Sequence, residues 1–326
     1  MPAFEKGMKD NLKEIDIIVE NPEAPTFANT IEALERSGKL LSKVQRTFFN
    51  LVGSNTNPQL QELQRELSPI LSAHYDKIGL NKELFSRIEQ LWKEREKLKL
   101  TNEQYKLLED TRKTFVRSGS LLNDTEKEKI TAINAKISSL TTTFGQNLLA
   151  ETNNFELILT KNDLEGLSKD IIIAAAETAN QKMNQAETDE EKEKYKEKYV
   201  FTPHRTSMYP FLTESARRDL REKLYNSYIF RGDNNNENDN KNIAAQIAKL
   251  RAEKASLMGY KTHAHFVLEE RMLKTPEEVF DLLIQLWKPA LNRAKLEVKD
   301  MQAVVDAEGH DFKILQGLKK TILKSK

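Results

Sequence analysis

Cysteine is absent from the 326 residues. That absence excludes disulfides, thiolate zinc sites, iron–sulfur clusters and a cysteine nucleophile. Glycine is scarce, at 11 residues, and neither a Gly-rich phosphate loop nor a Gly-x-Ser-x-Gly elbow occurs. Neither charge sign is in excess, with 51 Lys and Arg against 50 Asp and Glu. A general nucleic-acid binder carries a basic excess or stripe, so nucleic acid is not an expected partner. The longest apolar run, Ile171 to Ala176, is far short of the roughly 18 residues that a membrane span requires, so no membrane partner is expected either. Met1-Pro2-Ala3-Phe4-Glu5-Lys6 shows no basic segment leading into an apolar core, and hence no signal peptide.

Histidine is also rare: His74, His204, His263, His265 and His310. A zincin helix needs two histidines four residues apart, so that both reach one metal from the same face. No pair here has that spacing. His263 and His265 are two apart and diverge on a helix, whereas His265 and Glu269 are four apart and read as a helix-surface pair. The loop from Asp233 to Asn238 offers oxygen side chains at the first, third and fifth positions of a calcium loop. It has Asn238 where the turn needs glycine and Ala244 where a bidentate glutamate belongs, so it reads as a solvated connection. No residue is assigned a catalytic or metal-ligating role, and the substrate-binding residues are left open. Were the chain to cleave peptides, His263, His265 and Glu269 are the first residues to substitute.

What is present is helix. Hydrophobic residues make up 38% and charged residues 31%, the composition of helices that bury one face and expose the other. Leu12, Ile15, Ile18 and Val19 recur at helical spacing before Asn21-Pro22. Thr30 is expected to open a helix that runs through Leu34, Leu41, Val44 and Phe48. Asn57-Pro58 reads as a cap followed by a first-turn proline, with Leu60, Leu63, Leu67, Ile70 and Leu71 as the buried stripe. Capping boxes are read at Thr101/Gln104, Thr125/Glu128 and Thr188/Glu191, and Thr275-Pro276-Glu277-Glu278 marks another helix start. Val279, Leu282, Leu283, Leu286 and Trp287 form the apolar face of that helix. The pairs Phe48-Phe49 and Tyr225/Tyr228 read as core. Phe155 to Thr160 and Tyr199 to Thr202 have strand character, and Gly232 to Asn242 is a polar loop.

Several segments resemble the thimet-oligopeptidase-like zinc metallopeptidases, in the branch of peptidyl-dipeptidase Dcp and oligopeptidase A. They are Asn21-Pro22-Glu23-Ala24-Pro25-Thr26-Phe27 through Ile31, then Leu71-Ser72-Ala73-His74, and Phe144-Gly145-Gln146-Asn147-Leu148-Leu149. Further on come Arg221-Glu222-Lys223-Leu224-Tyr225-Asn226-Ser227-Tyr228, Asp239-Asn240, and Leu250 to Ala255 through Met258-Gly259-Tyr260 to Thr275-Pro276-Glu277. The likeness runs from about Ala3 to about Phe312. It implies an all-α fold with a small two-stranded β ribbon near 155–160 and 199–202. It also implies short peptides as substrates and one zinc held by an HExxH helix and a distant glutamate. That motif lies downstream of the matched segments in the family and does not occur in this chain. The resemblance thus implies the N-terminal, channel-wall part of a two-lobed enzyme, inactive alone, with zinc only in a full-length member and possible association with a complementary catalytic half. A non-enzymatic helical module binding peptides or a partner is the alternative, and a decayed gene product a third reading. The expected divisions are 1–152 (helical), 153–210 (ribbon and intervening helix), 211–312 (helical) and 313–326 (an atypical tail). Cytoplasm is the expected compartment, with periplasm left open because the N-terminus reads as trimmed.

Overall fold

The computed structural model describes residues 1–314. Its elements run α1 (Pro2–Val19), a π-helical turn (Phe27–Glu32), α2 (Ala33–Arg36), α3 (Lys39–Ser54), α4 (Pro58–Gly79), α5 (Lys82–Glu94), α6 (Asn102–Ser118) and α7 (Asp124–Asn154). Then follow β1 (Leu157–Leu159), α8 (Lys169–Gln185), α9 (Asp189–Tyr195), β2 (Tyr199–Phe201), α10 (Arg205–Glu214), α11 (Arg218–Ile229), α12 (Lys241–Leu257), α13 (His263–Leu268) and α14 (Pro276–Ala307). The fold is all-α with a two-stranded antiparallel ribbon.

Residues divide into two compact units, each made from two stretches of chain. One holds Met1–Thr143 and Ile243–Glu270; the other holds Phe144–Asn242 and Arg271–Lys326, described up to residue 314. In the first unit, one cluster joins Ile15 and Ile18 of α1, Ile31, and Leu84, Ile88 and Leu91 of α5 to Leu108 and Phe115 of α6. A second joins Phe4, Leu41, Phe48, Leu67 and Leu71. Helices α1 and α3 meet where Gly7 carries no side chain: a Cβ there would lie 2.9 Å from the Leu41 Cα.

In the second unit the ribbon is buried on both faces. Leu157 pairs with Phe201, Ile158 with Val200 and Leu159 with Tyr199. Leu157, Leu159 and Phe201 enter a core with Met208, Phe211, Leu212, Leu220 and Leu224, while Val200 packs with Ala179 and Tyr195 and against Ile158. This alternation is the period-2 geometry of a strand.

Most caps stand where the sequence puts them. Thr101/Gln104, Thr188/Glu191 and Thr275/Glu278 are reciprocal boxes, and the Asn57 side chain accepts from the Leu60 amide. Four details differ. The helix expected from Thr30 starts at Thr26, whose hydroxyl accepts from the Asn29 amide at 3.0 Å while the Asn29 Oδ1 accepts from the Thr26 amide at 2.7 Å. It does not continue to Phe48, because Gly38 takes φ +68° and restarts the chain as α3. The box expected at Thr125/Glu128 sits two residues earlier, at Asn123 and Glu126. Of the expected core residues, Ile70 and Phe49 lie outward while their neighbours Leu71 and Phe48 are buried.

The tail expected over 313–326 lies outside the described residues from 315 onward. Ile314 packs with Val305, beside Phe312, and its amide donates to Gln302 Oε1 at 2.8 Å.

Candidate functional site

The five histidines do not converge. His74 is buried between α1 and α4, its Nε2 2.9 Å from Asn11 Oδ1, and burial pushes its pKa down. His204 caps α10, with Nδ1 3.0 Å from Thr202 Oγ1. His310 lies 3.7 Å from Glu308. His263 opens α13 with its Nδ1 buried and unpartnered, and its pKa is lowered by desolvation and by the charges of Arg251 and Lys254. His265 holds its Nδ1 2.8 Å from Thr262 Oγ1.

Glu269 accepts from Arg117 and from the Tyr260 hydroxyl, the latter at 2.7 Å. These ties reach from α13 to α6, so Glu269 is a tertiary anchor rather than one half of a helix-surface pair. Burial alone would raise its pKa; the bonds from Tyr260 and Arg117 overcome this and hold the carboxyl below its ordinary value. Arg117 also donates to the Phe266 carbonyl and stacks 4.1 Å over its ring.

A polar chain lies close by in the same unit. Lys254 of α12 donates to Asn134 Oδ1 at 2.7 Å, and Asn134 donates to Asp76 Oδ1 at 2.8 Å. Burial pushes the Lys254 amine down and the Asp76 carboxyl up, and Asp76 Oδ2 is buried without a hydrogen-bond partner.

The second unit carries a cleft of about 800 Å³ beside the Asn-rich loop. Its anchor is Glu151, a buried carboxylate near the end of α7. One Glu151 oxygen accepts from the Gly232 amide and from Asn234 Nδ2, both at 2.7 Å; the other accepts from Asn236 Nδ2 at 2.6 Å. The loop therefore turns amide donors inward on a carboxylate, the opposite of the oxygen cage that calcium needs. Asp233 and Asp239 are occupied by Lys241, at 2.7 and 2.5 Å. Asn154, Asn226, Asn238, Lys223 and the exposed ring of Phe230 line the rest of the cleft. The sequence reading saw the loop but not Glu151, which is 81 residues from Gly232 and carries no local signal.

The donors on these residues do not fit a zinc ion. Among the described residues no group of three His, Asp or Glu side chains converges on one point. No helix among them is long and apolar enough to cross a membrane.

Comparison with known proteins gives the family. The model of peptidase family M3 matches residues 211–317. Dipeptidyl carboxypeptidase of Escherichia coli is 34% identical over 314 residues, covering 95% of this chain and 44% of the relative. Oligopeptidase A of Haemophilus influenzae is 27% identical, over 94% of the chain and 44% of the relative. Saccharolysin of Saccharomyces cerevisiae is 26% identical, over 90% of the chain and 39% of the relative. The chain spans less than half the length of these relatives. By this similarity, which runs through nearly all of its length, the chain is a member of the thimet-oligopeptidase-like metallopeptidases.

Proposed function

We propose that the chain supplies the helical, non-catalytic part of a zinc peptidase that hydrolyses short peptides, and that it cleaves none by itself. The carrying observation is the match to dipeptidyl carboxypeptidase across 95% of the chain, joined to the lack of any His-Glu-x-x-His sequence in its 326 residues. In the family mechanism, zinc supplies the activated water and a glutamate the general base. None of the five histidines here has a neighbour at that spacing, so no step is routed through a metal on this chain. The test is cleavage of a quenched fluorescent peptide by purified chain with added zinc. No cleavage sensitive to a chelator is expected. Chelator-sensitive turnover that survives rigorous purification and disappears in His263→Ala or His265→Ala would overturn the proposal.

The asparagine-lined cleft favours a second reading, in which the chain binds peptides without cutting them. Side-chain amides at Asn154, Asn226 and Asn238 match the donor and acceptor pattern of a peptide backbone. Under this reading the chain is monomeric and binds a short peptide, and Asn226→Ala weakens that binding at least fivefold by calorimetry.

A further inference from the structure

The largest unsatisfied surface among the described residues is on α14. Of its 32 residues only Val305 is buried. Phe280, Leu282, Leu283, Ile284, Leu286 and Trp287 are each between 46% and 64% exposed. Met272, just before the helix, is 97% exposed. At about 100° per residue these six side chains fan across roughly 200° of the helix circumference. Glu277, Glu278, Asp281, Gln285 and Lys288 fill the remaining arc. A helix packed on one neighbour needs an apolar stripe of about 100°, and one that is apolar over most of its circumference belongs inside a larger body. Exposed apolar patches of this extent mark interaction sites.

Resting on the reading of the chain as part of a family peptidase, we propose that the first five turns of α14 form a seam. It is covered by a separately supplied polypeptide equivalent to the stretch of the family enzyme that this chain does not match. Two observations select that occupant over a second copy. One helix from a second copy covers one stripe and leaves about half of a 200° arc in water, whereas a multi-helix partner closes on both sides. Helix α14 also lies within the stretch matched by the family model, while more than half of the Escherichia coli relative, which the chain covers to 44%, lies outside the match. Material able to enclose the helix therefore exists in the relatives.

The experiment co-expresses the full chain, in a Trp92→Phe background, with the unmatched stretch of the Escherichia coli dipeptidyl carboxypeptidase. Trp287 is then the single tryptophan of the chain, which has two, and the stretch is produced with its own tryptophans replaced by phenylalanine. We expect co-elution at 1:1 and at least a threefold drop in acrylamide quenching of Trp287. Leu283→Glu with Ile284→Glu abolishes both, while Ile17→Glu, an exposed apolar residue on α1, changes neither. A covalent fusion of the two pieces guards against weak affinity between proteins of different origin, because linkage raises the effective concentration to about millimolar. Trp287 still open to acrylamide in the fusion overturns the seam. So does protection of Trp287 in the chain alone, accompanied by a concentration-dependent dimer that the paired glutamates dissolve; that result assigns the face to a second copy. The functional reading fails separately: a protected, 1:1 complex that cleaves no peptide in zinc keeps the seam and removes the peptidase.

Discussion

Lys254, Asn134 and Asp76 form a buried polar chain whose ends compensate each other. Asp76 has its carboxyl raised by burial, so the folded state holds that proton more tightly than the unfolded chain, whose value is near 3.8. Its contribution therefore favours folding in acid and turns against it as pH rises above 3.8. Lys254 offsets this at neutral pH by placing a positive charge nearby. Lys254→Met removes the offset and leaves the Asn134 oxygen without its donor. A loss of roughly 2–3 kcal/mol at pH 7 is expected in urea unfolding. The deficit narrows as pH is lowered toward 4, where Asp76 takes up a proton, and Asp76→Asn in the same chain restores part of it. None of this was legible in the sequence. The three residues lie on α4, α7 and α12, and Lys254 looks like any lysine of a charged helix. His265 and Glu269 were legible as neighbours at helical spacing, but the partners that hold Glu269, Arg117 and Tyr260, come from outside that helix.

At the scale of the element, the reading was strong where chemistry is local. A threonine followed three residues later by Gln or Glu satisfies its own amides, so the starts of α6, α9 and α14 depend on nothing distant. The start at Thr26 was missed because its third residue is asparagine, which closes the same box with a shorter side chain. The packing of elements is less local. Gly7 reads as an ordinary residue within a helix, yet it sets the approach of α1 to α3. Gly7→Ala should raise helix propensity by up to about 1 kcal/mol, but its Cβ would press on the Leu41 backbone at 2.9 Å. The clash should win, with a net loss of about 1–2 kcal/mol by thermal unfolding. A gain in stability would mean that α1 and α3 separate without penalty.

Across the whole molecule, each unit has its own buried core, and each is assembled from stretches far apart in sequence. Leu84 and Leu224 are both fully buried, one in each unit. Truncation of either to alanine is expected to cost about 3 kcal/mol. Trp92, packed against the cluster that contains Leu84, reports the loss from Leu84→Ala in urea titrations followed by fluorescence. Leu224→Ala should instead shift the transition that Trp287 reports, since α14 belongs to the second unit. If both variants moved both signals equally, the two cores would unfold as one.

Helix content, the ribbon, the principal caps, the lack of a histidine pair at zinc spacing and the family likeness all followed from residues within a few positions of one another or from collinear motifs. Local hydrogen bonds and side-chain periodicity act over a turn or two, so the chain declares them directly. Tertiary structure alone decided that Glu151 closes the asparagine loop, that Asp76 shares a buried chain with Lys254, and that each unit draws on two separate stretches of sequence. It also decided which apolar stripes are covered. The periodicity of α4 and of α14 looks alike on paper, yet Leu67 and Leu71 are buried and Leu283 and Trp287 face solvent. Hydrophobic spacing shows which face of a helix seeks a partner; only the packed fold shows whether the partner is there.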